Sequence, residues 1–152
     1  IAIGTTMPLH CDFVYVSDEA RLAMPFASPR LAPEPGSSVL VPRLMGGRRA
    51  AEKLLLGDPF TAETAVECGI ANAVLPPNEV LPHARRVAER FNALPPSAVR
   101  ETKRLLREPG RATIFEAVKR EAAIFTTQLA SAEAREAMQA VLEKRKPDFS
   151  KF

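Results

Sequence analysis

Long apolar runs are missing from this 152-residue chain. No stretch approaches the ~20 residues needed to cross a bilayer, and the first residues lack the basic region and cleavage site of a secretory signal. Nothing in the sequence directs it to a membrane. Cysteine is scarce: Cys11 and Cys68 each sit in an apolar stretch, with no partner at metal-ligand spacing. They read as two reduced core thiols of a cytoplasmic protein, not as a disulfide framework or a metal site. There is no phosphate-cradling glycine loop, no Cys-x-x-Cys pair and no redox-cofactor fingerprint, so neither metal nor cofactor is expected. Basic residues interleaved with aromatics are lacking as well. The arginine-rich stretch Arg100 to Arg107 contains no aromatic side chain, and reads as a solvated face and not as a nucleic-acid surface.

With 46% hydrophobic and 26% charged residues, the chain can build one ordinary domain core. Lys and Arg outnumber Asp and Glu by 21 to 18, with the surplus late in the chain, at Arg100 to Arg107 and Lys144-Arg145-Lys146. That bias by itself suits an anionic small molecule as well as it suits RNA. The chain opens at Ile1-Ala2-Ile3-Gly4-Thr5-Thr6 in mid-pattern, with no helix cap ahead of it, which reads as the later part of a longer protein.

Two parts are expected. Residues 1–76 mix short strands, loops and short helices. A helix is predicted from Gly4 to His10, with Pro8 near its first turn, and strands over Asp12 to Val16, Arg21 to Met24 and Ala71 to Leu75. Further helices are predicted over Ser38 to Met45, Arg48 to Leu56 and Thr61 to Cys68, the last two stopped by Gly57 and Gly69. Residues 77–152 turn helical: Glu79 to Leu94, Ser97 to Glu108 closed by Pro109-Gly110, Ala112 to Leu129 and Ala132 to Lys146. These amphipathic helices must bury one face each, against the first part or in an oligomer.

Pro33-Glu34-Pro35-Gly36-Ser37-Ser38 is the most informative segment. Ser37 or Ser38 can cap the following apolar helix, and the two prolines restrict the backbone that carries Glu34. From Leu31 to Val41 Glu34 is the only ionisable side chain, so burial would raise its pKa toward acid/base duty. On spacing alone, a catalytic carboxylate and a solvated loop glutamate both remain open. His10 reads as a packing histidine and His83 as a solvated one.

The chain resembles the crotonase, or enoyl-CoA hydratase/isomerase, superfamily along its whole length. The resemblance is carried in order by Gly4-Thr5-Thr6, His10-Cys11-Asp12, Met24-Pro25-Phe26, the Pro33 to Ser38 segment and Pro42-Arg43-Leu44-Met45-Gly46. It continues through Arg49 to Gly57, Ala65 to Gly69, Leu94-Pro95-Pro96 and the tail from Glu136 to Pro147. It implies an α/β fold, the later turns of a spiral of ββα units, followed by a C-terminal α-helical oligomerisation region. It further implies an acyl-CoA thioester as substrate, with coenzyme A belonging to that substrate, and a homo-trimer or hexamer. A preceding portion is expected to supply the other oxyanion donor and most of the CoA-binding loop.

By the same resemblance, the backbone amide of Ile3 matches an oxyanion-hole donor. Thr6 and Phe26 stand where hydratases of the family carry paired glutamates, which argues against the usual hydration route. Isomerases of one branch carry a single carboxylate in a turn before Ser-Ser, and Glu34 matches it, with Pro35 in place of a glycine. The resemblance thus implies an isomerase that shifts a double bond from the 3 to the 2 position of an enoyl-CoA. A hydratase with an altered site and a non-catalytic acyl-CoA- or protein-binding module are the alternatives. Met24, Phe26 and Leu31 would line the acyl pocket, with Phe125 and Lys144 contributed to the acyl group or nucleotide phosphate from the C-terminal helices.

Overall fold

The computed structural model describes residues 1–152. A four-residue helix α1 (Ile3–Thr6) runs into a 3-10 turn, Met7–His10, with Pro8 where a missing amide costs nothing. Strand β1 (Tyr15–Ser17) pairs in parallel with β4 (Ala73–Leu75), in the register Tyr15 to Ala73 and Ser17 to Leu75. Asn72 extends that pairing: its side-chain oxygen accepts from the Val14 N–H, and its own N–H donates to the Val14 carbonyl, each at 2.7 Å. The second pair is antiparallel, β2 (Arg21–Leu22) with β3 (Phe60–Thr61). Between the strands lie α2 (Ser37–Met45), α3 (Gly47–Ala51), its wider continuation Glu52–Leu56, and α4 (Ala62–Glu67). Thr61 caps α4 by accepting the Thr64 N–H at 3.3 Å.

Thirteen buried side chains form the core, and all come from the first half of the chain, among them Leu9, Leu22, Met24, Phe26, Val41, Phe60 and Ile70. The second half is α5 (Pro77–Glu89), a 3-10 turn Arg90–Ala93, α6 (Pro96–Leu129) and α7 (Ala132–Leu142). It leaves Leu81, Leu105, Leu106, Phe115, Val141 and Leu142 exposed. No helix is long and apolar enough to cross a membrane.

Several expectations are corrected. The strands are two or three residues long; two start later than predicted and the one from Arg21 ends earlier, since pairing partners 38–58 residues away fix their extent. Pro109 does not end a helix: α6 continues through it for 34 residues in all. An interior proline forfeits a hydrogen bond and costs about 3 kcal/mol, but α6 is tied to the core on both sides of it. On one side Lys103 and Arg107 grip Asp12, at 2.5 and 2.6 Å. On the other, Ile114 and Val118 lie against Gly36. Helix α7 stops at Leu142, short of Lys146, because Lys144 takes a left-handed φ of 54° and Arg145 turns back to pair with Glu136. Cys68 is buried, but Cys11 is exposed beyond the 3-10 turn, so only one of the two thiols belongs to the core. His83 is half-buried, edge-on to Tyr15 at 4.6 Å.

Candidate active site

The segment ahead of α1 is fixed to β2. The Ala2 N–H donates to the Ala23 carbonyl at 2.9 Å, and the Thr5 hydroxyl accepts the Ala23 N–H at 3.2 Å. Ala2 adopts φ 50°, a conformation that costs a non-glycine residue energy. Its carbonyl accepts the N–H groups of Thr5 and Thr6, closing the first turn. The Ile3 N–H, at the head of that turn, donates to no acceptor in the chain. A free amide there is suited to an anionic oxygen. Thr6 is fully enclosed, and its hydroxyl reaches the Ala2 carbonyl at 3.4 Å.

Beyond β2, Met24 and Phe26 are buried in the core cluster and do not line an open pocket surface. A tight loop follows, in which the Leu31 N–H returns to the Phe26 carbonyl at 2.9 Å. Arg30 sits at φ 63° in this loop. Its guanidinium pairs with Glu133 of α7 and lies 5.2 Å from the Phe149 ring centre, tying the loop to the C-terminal helix and tail. Leu31 and Pro33 line a hollow of about 440 Å³ with Ala27, Ala50 and Leu54. Glu34 follows, half-buried, and no cation or donor of the chain engages its carboxylate.

The turn after Glu34 is held by side chains that sequence patterning did not single out. The ring Nε2 of His10 donates to the Pro35 carbonyl at 2.7 Å. The Glu121 carboxylate, on α6 and 4% exposed, accepts from the Gly36 N–H, from the Ser38 hydroxyl and, at 3.0 Å, from the Ser38 N–H. Neither serine caps α2. Gly36 occupies the cap position, Ser37 is buried with its hydroxyl unpartnered, and Glu121 supplies the acceptor from 83 residues away. A carboxylate at this position satisfies otherwise orphaned amides and favours the positive end of the helix dipole. His10 is exposed, so it is a hydrogen-bonding residue and not a packed one.

A larger hollow of about 1050 Å³ lies between the first half of α6 and the segments around Leu9–Phe13 and Leu40–Leu44. None of the expected site residues lines it. Phe125 is half-buried on α6 and Lys144 is exposed beyond α7; neither borders the two hollows. Asp12 borders the larger one, and hydrogen bonds from Lys103 and then Arg107 hold its carboxyl below the usual range.

An unpaired amide at the head of a short helix and a lone carboxylate on a constrained turn are groups of the kind enolate chemistry uses. The sequence profile described as "Enoyl-CoA hydratase/isomerase" matches residues 1–151, and the chain belongs to that family. It is similar to the crotonyl-CoA hydratase of Syntrophomonas wolfei, with 32% identity over 96% of this chain and 56% of the relative. It is also similar to enoyl-CoA delta isomerase 2 of Rattus norvegicus, with 33% identity over 71% of this chain and 28% of the relative. Among solved structures, an enoyl-CoA hydratase/isomerase from Pseudoalteromonas atlantica superposes with a TM-score of 0.94 at 38% identity, covering 98% of this chain and 60% of the other. The chain thus spans little more than half the length of the crotonyl-CoA hydratase and of this solved structure.

Proposed function

We propose that this chain carries the acid/base of an enoyl-CoA isomerase that converts a 3-enoyl-CoA to a 2-enoyl-CoA. Glu34 removes a proton from C2, the electrons delocalise into the thioester as a dienolate, and the protonated Glu34 returns the proton at C4. The Ile3 N–H is one donor to the enolate oxygen, whose charge grows as the C2 proton leaves. One carboxylate suffices, because the same group gives up and takes back the same proton.

The observation that carries this reading is the contrast among three positions. Thr6 and Phe26, which by the resemblance stand where hydratases have their glutamates, are buried and not ionisable, at 0% and 4% exposure. Glu34 is half-buried, unpaired and mounted on a constrained turn. The relative named an enoyl-CoA delta isomerase supports the same choice. Leu31 and the hollow beside it would receive the acyl chain, while Met24 and Phe26, buried in the core, would contribute only through the packing that supports the loop. Phe125 and Lys144 are assigned to the acyl group and the nucleotide phosphate, respectively. The exposed apolar side chains of α5 to α7 support self-association, proposed here as a homo-trimer or hexamer, and a cytoplasmic location is proposed with it.

The relative named a crotonyl-CoA hydratase favours a second reading, hydration, which would need a carboxylate beyond those this chain places here. The two readings separate in one experiment on the full-length protein. Isomerisation of a 3-enoyl-CoA and hydration of a 2-enoyl-CoA are measured for wild type and Glu34→Gln. Loss of isomerisation by about 10²–10⁴-fold, the usual worth of a general acid/base, is expected in a variant that stays folded. Isomerisation unchanged in the variant, or hydration alone in wild type, would sink the proposal.

A further inference from the structure

The Pro35 carbonyl and the Gly36 N–H are the two ends of a single peptide unit. His10 holds the first, and Glu121 holds the second. That plane lies directly after Glu34, and its orientation sets ψ of Pro35 and φ of Gly36, while the Pro35 ring already restricts the remaining torsion. A peptide plane anchored at both ends has no freedom to flip. The backbone immediately after Glu34 is therefore held in one conformation.

Both anchors trace back to α6. Glu121 is on it, and Arg107, in its first half, donates from Nη2 to the His10 carbonyl at 3.1 Å while also gripping Asp12. Arg107 and Glu121 lie 14 residues apart, about 21 Å along the helix axis. Pro109 falls between them, and Ile114 and Val118 fill the space against Gly36. An apolar residue in place of Glu121 would leave the Gly36 N–H, the Ser38 N–H and the Ser38 hydroxyl without this acceptor.

We infer that Glu121 and His10 are positioning residues, which clamp the Pro35–Gly36 peptide and so aim the Glu34 carboxylate. This inference rests on the proposed acid/base role of Glu34 for its effect on turnover, but not for the clamp itself. Glu121→Gln keeps the side chain's shape yet turns an amide NH2 toward one of the donors, so a hydrogen bond is replaced by two donors facing each other. Because a misplacement of about 1 Å can cost ~10²-fold in rate, kcat for isomerisation is expected to fall about 10–100-fold with little change in KM.

Three measurements on the full-length protein decide the matter, with the exposed Glu116→Gln on the same helix as control. Hydrogen-exchange mass spectrometry of segment 31–41 should show faster exchange in Glu121→Gln than in wild type. The kcat loss should appear in Glu121→Gln and vanish when Glu34 is already Gln, because there is no longer a carboxylate to aim. His10→Asn, whose shorter amide can still donate to a carbonyl, should keep more activity than His10→Ala. Unchanged exchange, an unchanged kcat, or the same fold-loss in the Glu34→Gln background would overturn the inference. If exchange rises in Glu121→Gln while Glu34→Gln retains wild-type activity, the clamp stands and the acid/base reading fails.

Discussion

Gly57 is the position where a single methyl group should do the most damage for its size. It follows the α3 continuation at φ 75°, and a Cβ built there would stand 2.8 Å from the Pro25 Cα and 3.2 Å from the Pro25 Cβ. The obstructing atoms belong to the backbone and ring of the residue before Phe26, and they cannot swing aside. Two costs add in Gly57→Ala: about 1–2 kcal/mol for a side chain in the left-handed region, and a further ~1–3 kcal/mol for forcing the packed segment apart. The sum is about 3 kcal/mol, which for a chain of this size lowers Tm by roughly 6–12 °C. Gly69→Ala separates the two contributions. That glycine has nearly the same φ, 74°, but its nearest neighbour is the Leu44 carbonyl oxygen at 4.0 Å. It should lose only the conformational part, about 1–2 kcal/mol. Urea unfolding of both variants and wild type, followed by circular dichroism, provides the comparison. If Gly57→Ala is no less stable than Gly69→Ala, the close approach of Pro25 is not a packing constraint and the argument is wrong.

Glu136 accepts from Arg145, its strongest partner, and from the Asp148 N–H, which together pull its pKa down to about 2. A carboxylate depressed in the folded state contributes stability above its ordinary pKa of 4.5 and loses it as pH falls toward 2. The docked tail should therefore survive mild acid, and the Asp148 amide resonance should hold its position until well below about pH 4; release at the ordinary carboxylate pKa would contradict the pairing. The exposed apolar side chains of α5 to α7 predict self-association, so light scattering of the full-length protein should return a mass of at least three chains. A monomer at micromolar concentration would remove the basis for the oligomer.

Where local chemistry decides the structure, the sequence is readable. Gly57 and Gly69 end their helices in left-handed conformations, and Thr61 caps α4, as the residue types alone suggest. The Glu34 turn is marked by its two prolines. What depends on distant partners is not readable in the same way. The strands are short because their extent is set by pairing across 38–58 residues. Pro109 has the local look of a terminator because the anchors that carry α6 past it, Asp12 and Gly36, lie far back in the first half of the chain. Glu121 does leave a signal in the sequence: it stands seven residues after Ile114 and three after Val118, inside the helix stripe that faces the core. A glutamate in an otherwise apolar stripe asks for a partner, and here the partner is the turn beside the candidate base.

The ties between α6 and the Glu34 turn also fix an order of events during synthesis. Gly36 and Glu121 are 85 residues apart, so at ~5–20 residues per second the turn leaves the ribosome about 4–17 s before its anchor exists. The thirteen-residue core lies wholly within the first half of the chain and can gather in that interval. The newborn chain can therefore pass through a stage in which these core residues are assembled while the Glu34 turn still lacks its anchor, which arrives only when the long helix closes over it.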